Sequence, residues 1–511
     1  MAAASVLLTL LAVIILYFKY NPMAHASPFM VRRFLNWFPL GMSYAFLYMA
    51  RYNINVASNA LGSKMSIASF GTIFAAGTIT YGFSFLLNGP LVDKWGSKKG
   101  MLLATGGSSI ANVAMGIVVY LFLNGQLDMN MTVALSILYS INMFFQSYGA
   151  VSIIKNKAYW FHVRERGIFG AIFGTLISVG IYFAFDLNSK IADSASANPK
   201  NPGFLSNLFH TTLGSVNNGV DSVWFVFFIP ALLLLFWFIM DAILVKDMPS
   251  QAGHHDFDTA DASSGLMHIE LTKTEMLKKV FSNPIIMMVA AIEFTTGVIR
   301  NGVMQWYFKF GKVVPQVGAE FFHDNWGLIL CLTGIAGGFA AGHISDKVFQ
   351  SRRGPPVVIA GTLITIIAST MYFNLLTSPL IVGTCAVLLG LLSISVHSLM
   401  SGTAAADFGG RKMTATASGI TDGFVYLGTG LQSLVLGNLL TEKPESWHAW
   451  PAFLVPFGMM SVFIALKMWK SLPEATRKYL AENKTPADRV RVVKEARAGG
   501  TVNLEPDNSK T

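Results

Sequence analysis

The chain is a succession of apolar runs separated by short polar connections. Each run is about 20 residues long, the length that a helix needs to cross about 30 Å of hydrocarbon. The runs occupy residues 35–55, 70–91, 101–123, 131–154, 167–187 and 223–245, and then 284–308, 325–345, 356–376, 379–400, 414–439 and 450–471. They predict an all-α polytopic membrane protein built as two bundles of six helices.

A shorter apolar run, 5–18, precedes these twelve. It is either an added helix or a signal peptide that ends near Ala24-His25-Ala26. Residues 1–4 lack the positive charge that opens a signal peptide, so we expect a retained extra helix. The resulting predicted organisation is an N-terminal helix, a first bundle, a linker, a second bundle and a polar tail, at 1–30, 31–246, 247–283, 284–472 and 473–511.

Composition supports the membrane interpretation. Charged residues make up 13% of the chain, against about 25% in soluble proteins. The net charge of +10 does not form the aromatic-interleaved basic stripe typical of nucleic-acid binding. No metal-ligand spacing appears, and Cys331 and Cys385 read as small buried residues. We therefore expect a monomer in a lipid bilayer, with no cofactor, metal or nucleic-acid partner.

Lysine and arginine are unevenly distributed among the short connections. Those around 94–99, 155–166, 347–353 and 411–412 are richer in basic residues than those on the other side. Because basic loops stay in the cytoplasm, the linker and the C-terminus are predicted to be cytoplasmic. An extra first helix then places the N-terminus outside.

Two of these basic connections repeat one motif. Gly-x-x-x-Asp-Lys, followed by a basic cluster, begins at Gly89 and again at Gly342, after the second and the eighth run. The glycine allows close helix approach, and the aspartate can latch a neighbouring helix end or arginine. The predicted gating residues are Asp93, Lys94, Asp346 and Lys347, with Arg164 and Arg166 in the connection after the fourth run. This doublet resembles the signature loops of the major facilitator superfamily, which implies a central site and rocking alternating access.

Arg51 and Arg300 lie inside apolar runs, late in the first helix of each half. The motif aspartates follow them 42 and 46 residues later, so the two arginines hold equivalent positions. A charge at mid-membrane costs about 2.5–3.5 kcal/mol or more. One interpretation is a pair of guanidinium groups that grip a phosphate. The other is a structural ion pair for each arginine, such as Arg300 with Glu293.

Several segments resemble the organophosphate:phosphate antiporter family, over about residues 30–470. They include Arg51-Tyr52-Asn53, Tyr81-Gly82-Phe83-Ser84, Phe145-Gln146-Ser147-Tyr148-Gly149, 160–167, Arg300-Asn301-Gly302 and Tyr426-Leu427-Gly428. The resemblance implies that Arg51 and Arg300 bind phosphate and that Tyr81 and Gln146 line the same path. Other side chains able to hydrogen-bond or stack on a polar substrate are Tyr48, Tyr52, Tyr148, Tyr426 and Trp306. The sequence departs from the glycerol-phosphate members at Phe85, where they carry lysine, and at Leu176, where they carry histidine.

Glu293 and Asp422 are carboxylates within apolar runs. They are interpreted either as proton-coupling groups or as charge compensation for the arginines. His397 is expected to be a hydrogen-bonded packing histidine rather than a proton relay. Asp186 and Asp241, near the ends of their runs, are expected at the membrane interface.

No Walker loop, nucleophile elbow or metal site is present, so an enzyme or an ATP-driven pump is not expected. Three hypotheses stay open. The first is a secondary transporter, expected in a bacterial inner membrane, that exchanges a sugar phosphate or glycerol phosphate for inorganic phosphate. The second is a proton-coupled organic anion symporter. The third is a membrane sensor of a sugar phosphate.

Overall fold

The computed structural model describes residues 2–162, 165–200, 203–212, 221–257, 273–315, 317–349 and 352–471, in places by their backbone alone. These residues form helices and, within the described ranges, no strand. The first helix, α1, spans Ala2–Lys19. The all-α polytopic architecture that the apolar runs predict is confirmed.

The first bundle follows α1. Its helices are α2 (Ser27–Leu61), α3 (Ile67–Trp95), α4 (Ser97–Leu123), α5 (Met131–Trp160), α6 (Arg166–Tyr182) and α9 (Phe225–Leu244). A π-helical segment, Phe183–Leu187, continues α6 into α7 (Asn188–Ser194), and α8 (Phe204–Asn207) lies before α9. A short helix, α10 (Lys273–Ser282), precedes the second bundle.

The second bundle repeats the arrangement. Its helices are α11 (Pro284–Val313), α13 (Trp326–Lys347), α14 (Gly354–Asn374), α15 (Pro379–His397), α16 (Ala405–Leu439) and α17 (Ala449–Lys467), with α12 (Glu320–Asp324) before α13 and a π-helical segment (Ser398–Ala404) before α16. The predicted domain boundaries stay predictions, and the predicted tail lies outside the described residues.

Local sequence signals fix several helix ends. The Asn130 side chain accepts hydrogen bonds from the first amides of α5, and Asn283 does the same at α11. Gly96 has a φ of 94°, a backbone conformation that residues with a side chain rarely adopt. It is the single residue between the end of α3 and the start of α4. This tight turn lies in the first copy of the Gly-x-x-x-Asp-Lys motif.

Helix α2 begins at Ser27, earlier than the predicted run at 35. Arg32 and Arg33 interrupt the apolar pattern there, yet Arg33 is buried because Glu165 neutralises its charge. Among the described residues, eight helices are long and apolar enough to cross a membrane. Helix α2 is long enough but is not one of them, and it carries the buried polar residues Arg51, Asn53 and Asn55.

The two bundles meet mainly through three helix pairs: α3 with α16, α6 with α13 and α2 with α11. The α3–α16 contact depends on small residues. A methyl group on Gly71 would lie 2.7 Å from the Cα of Gly437, and one on Gly82 would lie 3.0 Å from the carbonyl oxygen of Gly423. Helix α16 therefore approaches the opposite bundle at backbone distance.

Helix α1 packs against the line where α6 and α13 meet. Near its start, Val6 contacts a cluster that contains Tyr182 of the first bundle and Cys331 of the second. Near its end, the Tyr17 hydroxyl donates to the Met30 carbonyl at 2.8 Å and accepts from Arg33 Nε at 3.1 Å. Helix α1 thus runs along both bundles. Its last turn lies on the side of the protein that carries the two Gly-x-x-x-Asp-Lys connections, which we call the basic side.

A buried ion pair supports this last turn. Arg33 donates two hydrogen bonds to Glu165, both at 2.9 Å, and His25 Nε2 lies 3.6 Å from the same carboxylate. Burial raises the pKa of Glu165, but His25 and Arg33 more than offset this and lower the pKa to about 2. The carboxylate is therefore ionised across the physiological range.

We expect Glu165→Gln to lower the thermal stability of the detergent-solubilised protein, because it leaves the Arg33 charge buried without a partner. Losing one partner of a buried pair costs about 3 kcal/mol. Since the pKa is lowered on folding, the contribution is complete above the unfolded value of about 4.3 and disappears as the pH falls toward 2. Unfolding temperatures measured from pH 7 to pH 2 should therefore converge for wild type and variant at the acid end. The exposed Glu445→Gln is the control, and a constant difference down to pH 2 would contradict the assignment.

Candidate functional site

Arg51 lies fully buried on α2 with all of its guanidinium nitrogens hydrogen-bonded. Its Nε donates to Gln146 Oε1 at 2.8 Å, Nη1 to the Tyr426 hydroxyl at 2.9 Å, and Nη2 to the Tyr81 hydroxyl at 3.0 Å. The rings of Tyr48 and Tyr81 each lie 4.5 Å from the guanidinium carbon. Helices α2, α3 and α5 of one bundle and α16 of the other thus converge on one cation.

A polar network behind Arg51 fixes its orientation. Gln146 Nε2 donates to Asn142 Oδ1 at 3.2 Å, and Asn142 donates to the Ala50 carbonyl at 3.1 Å. The Tyr139 hydroxyl donates to the Arg51 carbonyl at 2.9 Å. Because these groups come from α5 and contact the α2 backbone, the guanidinium direction is set before any ligand arrives.

Arg300 on α11 is half-buried and faces the same tyrosines. Tyr52, Tyr426, Tyr48 and Glu293 are groups that interact with it electrostatically. The Tyr52 hydroxyl donates to Asn301 Oδ1 at 3.4 Å, which joins α2 to α11. The structure therefore brings Arg51, Arg300, Tyr48, Tyr52, Tyr81, Gln146 and Tyr426 together.

Among the described residues, the acceptors of the Arg51 guanidinium, Gln146, Tyr426 and Tyr81, are all neutral. Within the part of the chain that the structure describes, Arg51 is therefore held by neutral groups and not by a structural ion pair. Neutral hydroxyl and amide oxygens satisfy the N–H groups but leave the positive charge uncompensated, which favours binding of an anion.

Glu293 is fully buried about two helical turns before Arg300 along α11, and it contacts His397 of α15. His397 Nδ1 lies 2.8 Å from Glu293 Oε2. Asp422 on α16 accepts a hydrogen bond from the Ser401 hydroxyl. The sequence predicts a hydrogen-bonded histidine at this position but not its partner, because 104 residues separate His397 from Glu293.

Two predicted binding residues lie apart from the arginines. The Trp306 indole donates to Gln432 Oε1 at 2.7 Å and packs edge-on against Phe70. Tyr148 packs against Phe144. A helical turn of about 100° per residue explains both: six residues from Arg300 turn Trp306 by about 240°, and two residues from Gln146 turn Tyr148 by about 200°.

The predicted gating residues are described only in part. The Lys94 side chain is exposed at the end of α3. Arg164 lies outside the described residues. The side chains of Asp93, Arg166, Asp346 and Lys347 also lie outside the described part of the structure.

On the side opposite the basic motifs, buried polar contacts hold the bundles together. Asp186 accepts from the amides of Gly327 and Leu328, at 2.7 and 2.9 Å, at the N-terminus of α13. Lys309 Nζ donates to the Ser58 hydroxyl at 2.9 Å and to its carbonyl at 3.2 Å. These contacts close the interface between the two bundles, on the path from the two arginines to this side of the protein.

A cavity of about 1030 Å³ lies beyond these contacts and is lined in part by Asp186, Asn59, Phe308, Lys312 and His323. Asn59 Nδ2 donates to the Phe308 carbonyl at 3.1 Å at its inner wall. Asp186 and Asp241 are both buried within the protein, and their expected position at the membrane interface stays a prediction. Asp241 accepts from Ser43 at 2.6 Å inside the first bundle.

The sequence from residue 40 to residue 433 matches the family model of the Major Facilitator Superfamily. The chain belongs to this superfamily. The predicted fold, two six-helix bundles related by a pseudo-two-fold axis with an extra N-terminal helix, is thereby confirmed. The D-xylose-proton symporter, a solved structure of the same fold, superposes with a TM-score of 0.61 at 15% identity, covering 86% of this chain and 97% of the symporter.

Relatives of known description confirm the predicted resemblance. The chain is 25% identical to the glycerol-3-phosphate transporter of Bacillus subtilis, over 84% of this chain and 90% of that protein. It is 24% identical to the membrane sensor protein UhpC of Escherichia coli, over 83% and 89%. It is 23% identical to a probable hexose phosphate transport protein of Chlamydia trachomatis, over 86% and 91%. Together with the apolar helices, this superfamily membership shows an integral membrane protein.

We expect Gln146→Glu and Gln146→Leu to separate the stability of the Arg51 cluster from its affinity for anions. Glutamate keeps the acceptor for Arg51 Nε and adds the missing negative charge, so thermal stability should hold or rise while binding of inorganic phosphate weakens at least about tenfold, or about 1.4 kcal/mol. Leucine removes the acceptor, so stability and binding should both fall. Thermal unfolding and calorimetric phosphate titration measure the two quantities. Unchanged phosphate binding by Gln146→Glu would contradict the expectation.

We also expect Asp186→Ala to open the interface on the cavity side, because it removes two charge-assisted hydrogen bonds that join α6 to α13. At about 1.5 kcal/mol each, their loss shifts the equilibrium by roughly 100-fold. A cysteine placed at Val56, which is buried beside the cavity, reports opening through its rate of alkylation by a membrane-impermeant maleimide. Asp221→Ala is the matched control, since Asp221 lines the same cavity but accepts from Ala197 within its own bundle. Equal alkylation rates in both variants would contradict the role assigned to Asp186.

Proposed function

We propose that this protein exchanges an organophosphate, of the sugar phosphate or glycerol phosphate type, for inorganic phosphate by alternating access. One observation carries the proposal: among the described residues the buried Arg51 guanidinium is held by neutral acceptors, and it shares tyrosines with Arg300, its counterpart in the other bundle. A tetrahedral oxyanion supplies the charge that this arrangement lacks. The relatives described as glycerol-phosphate and hexose-phosphate transporters support the same substrate class.

In this mechanism the phosphoryl group takes the place that the Tyr81 and Tyr426 hydroxyls hold on Arg51. A guanidinium group binds two phosphate oxygens at once, with stronger hydrogen bonds than it makes to a phenol. The displaced hydroxyls remain close enough to donate to the remaining oxygens. Arg300 engages the same group from the second bundle, so the ligand draws the two bundles together.

Obligatory exchange follows from charge. Without an anion, approach of the bundles brings the Arg51 and Arg300 guanidinium groups together, which is costly at the low dielectric of the membrane interior. With phosphate bound, the same approach gains attraction from both sides. The carrier therefore reorients readily only when loaded, either with the organophosphate or with inorganic phosphate.

The part of the site that contacts the organic half of the substrate carries less charge than in the glycerol-phosphate transporters. Phe85 packs edge-on against Tyr81 at 4.8 Å, where those members carry lysine. Leu176 is buried against α2 at Gly41, at the position of their histidine. We propose that Arg51 and Arg300 still bind phosphate, while the rest of the site accepts a different organic group.

We also propose that the protein works as a monomer in a bacterial inner membrane, with the basic side, the linker and the C-terminal tail in the cytoplasm. The unequal distribution of lysine and arginine among the connections supports this orientation. The cavity beside Asp186 then faces outward, and the contacts of Lys309 and Asp186 close the outward side.

The test is counterflow in proteoliposomes loaded with unlabelled phosphate. Wild-type protein should take up labelled phosphate, and liposomes without internal phosphate should not. Arg51→Lys and Arg300→Lys should each lower the initial rate by roughly 100-fold or more, because lysine keeps the charge but loses the bidentate hydrogen bonds.

Arg32→Lys is the matched control, since Arg32 donates to the Leu244 carbonyl near the basic side, away from the two arginines. Its rate should equal that of wild type. Absence of counterflow in the wild type, or wild-type rates in both pathway variants, would refute the exchange mechanism.

The similarity to the sensor UhpC favours a second candidate, a membrane sensor of a sugar phosphate. Helix α1, with exposed apolar side chains at Leu7, Leu8 and Leu11, offers a surface that the transporter mechanism does not use. A sensor binds phosphorylated ligands without counterflow. Thermal stabilisation by a sugar phosphate in protein that shows no exchange would select this candidate over the first.

A further inference from the structure

A second set of titratable groups lies in the second bundle beside Arg300. Glu293 comes from α11, His397 from the end of α15, Ser401 from the π-helical segment and Asp422 from α16. Among the described residues, the charged and titratable groups that act on this set are its own members and Arg300. Three helices therefore place two carboxylates and one imidazole around a single cation.

We infer that Glu293 and His397, with Asp422 beside them, form a proton-binding site whose occupancy is linked to the anion at Arg300. This inference deepens the proposed function and rests on it. Its geometric basis is the 2.8 Å contact between His397 Nδ1 and Glu293 Oε2, which holds one proton on the line between two groups that can each carry it.

Glu293 has an unused acceptor as well. Its Oε1 is buried and has no hydrogen-bond partner among the described residues, while its side chain is 0% exposed. A buried carboxylate oxygen without a partner is costly when ionised, and protonation removes most of that cost. The carboxyl group is therefore built to accept a proton rather than to stay charged.

His397 is the more accessible member of this pair. Its side chain is 26% exposed, whereas that of Glu293 is not exposed at all. A proton that reaches the open face of the imidazole ring can pass through the ring to the carboxylate, because the two ring nitrogens exchange donor and acceptor roles. The neighbouring Asp422, held by the Ser401 hydroxyl, is a further group beside this pair that can bind a proton.

Charge links the site to the substrate. With both carboxylates ionised and His397 neutral, the set and Arg300 together carry one net negative charge, which repels an arriving anion. One bound proton brings the total to zero. Phosphate at Arg300 therefore promotes proton uptake, and by reciprocity a bound proton raises the affinity for phosphate by the same factor.

The test is calorimetric titration of the purified, full-length protein with inorganic phosphate at pH 8, in buffers of different ionisation enthalpy. The dependence of the observed heat on the buffer gives the number of protons taken up per phosphate bound. Wild type should take up about one proton more than Glu293→Gln, and its affinity should fall about tenfold more per pH unit above pH 8. Comparison at the same pH cancels the protons that phosphate itself carries.

Glu293→Asp should restore the extra uptake, and His397→Gln, which keeps a hydrogen-bond donor but cannot be protonated, should abolish it. Asp128→Asn, in an exposed loop, is the matched control and should behave as wild type. Phosphate binding with equal proton uptake in wild type and Glu293→Gln would overturn the proton site and leave the exchange proposal standing. Absence of phosphate binding in the wild type would overturn both.

Discussion

The buried charge of Arg51 is the constraint on which the other features of the site depend. A guanidinium group inside the membrane needs acceptors, and the first bundle supplies them from α3 and α5 while the second supplies one from α16. To deliver the Tyr426 hydroxyl, α16 must approach α3 closely, and glycines on both helices make that approach possible. The packing of the two bundles and the chemistry of the site are thus consequences of the same cation.

The paired motif and the paired arginines allowed much of this to be predicted. Two copies of Gly-x-x-x-Asp-Lys at matching places predicted a repeated bundle, and the repeat made Arg51 and Arg300 equivalent. Tyr48, three residues from Arg51, lies on the same helix face and does contact it. Local spacing was therefore enough wherever two residues share one helix.

Contacts between distant segments could not be predicted in this way. Tyr426 reaches Arg51 across 375 residues, and Asp186 reaches the start of α13 across 141 and 142. Apolar runs give the number of helices but neither their rotation nor their depth. Trp306 and Tyr148 show the opposite error, since the helical period alone would have placed both away from the site.

Helix α1 has a consequence for the two ends of the chain. It starts near Tyr182 and Cys331, beside the cavity, and its last turn packs on Arg33 near the basic side. Helix α17 ends on the basic side, because six helices in each bundle return the chain to where it began. If α1 and the six main helices of each bundle all cross the membrane, the number of crossings is odd, and reporters fused before α1 and after α17 would occupy different compartments. A fluorescent protein that matures only in the cytoplasm would then fluoresce at one terminus and not at the other.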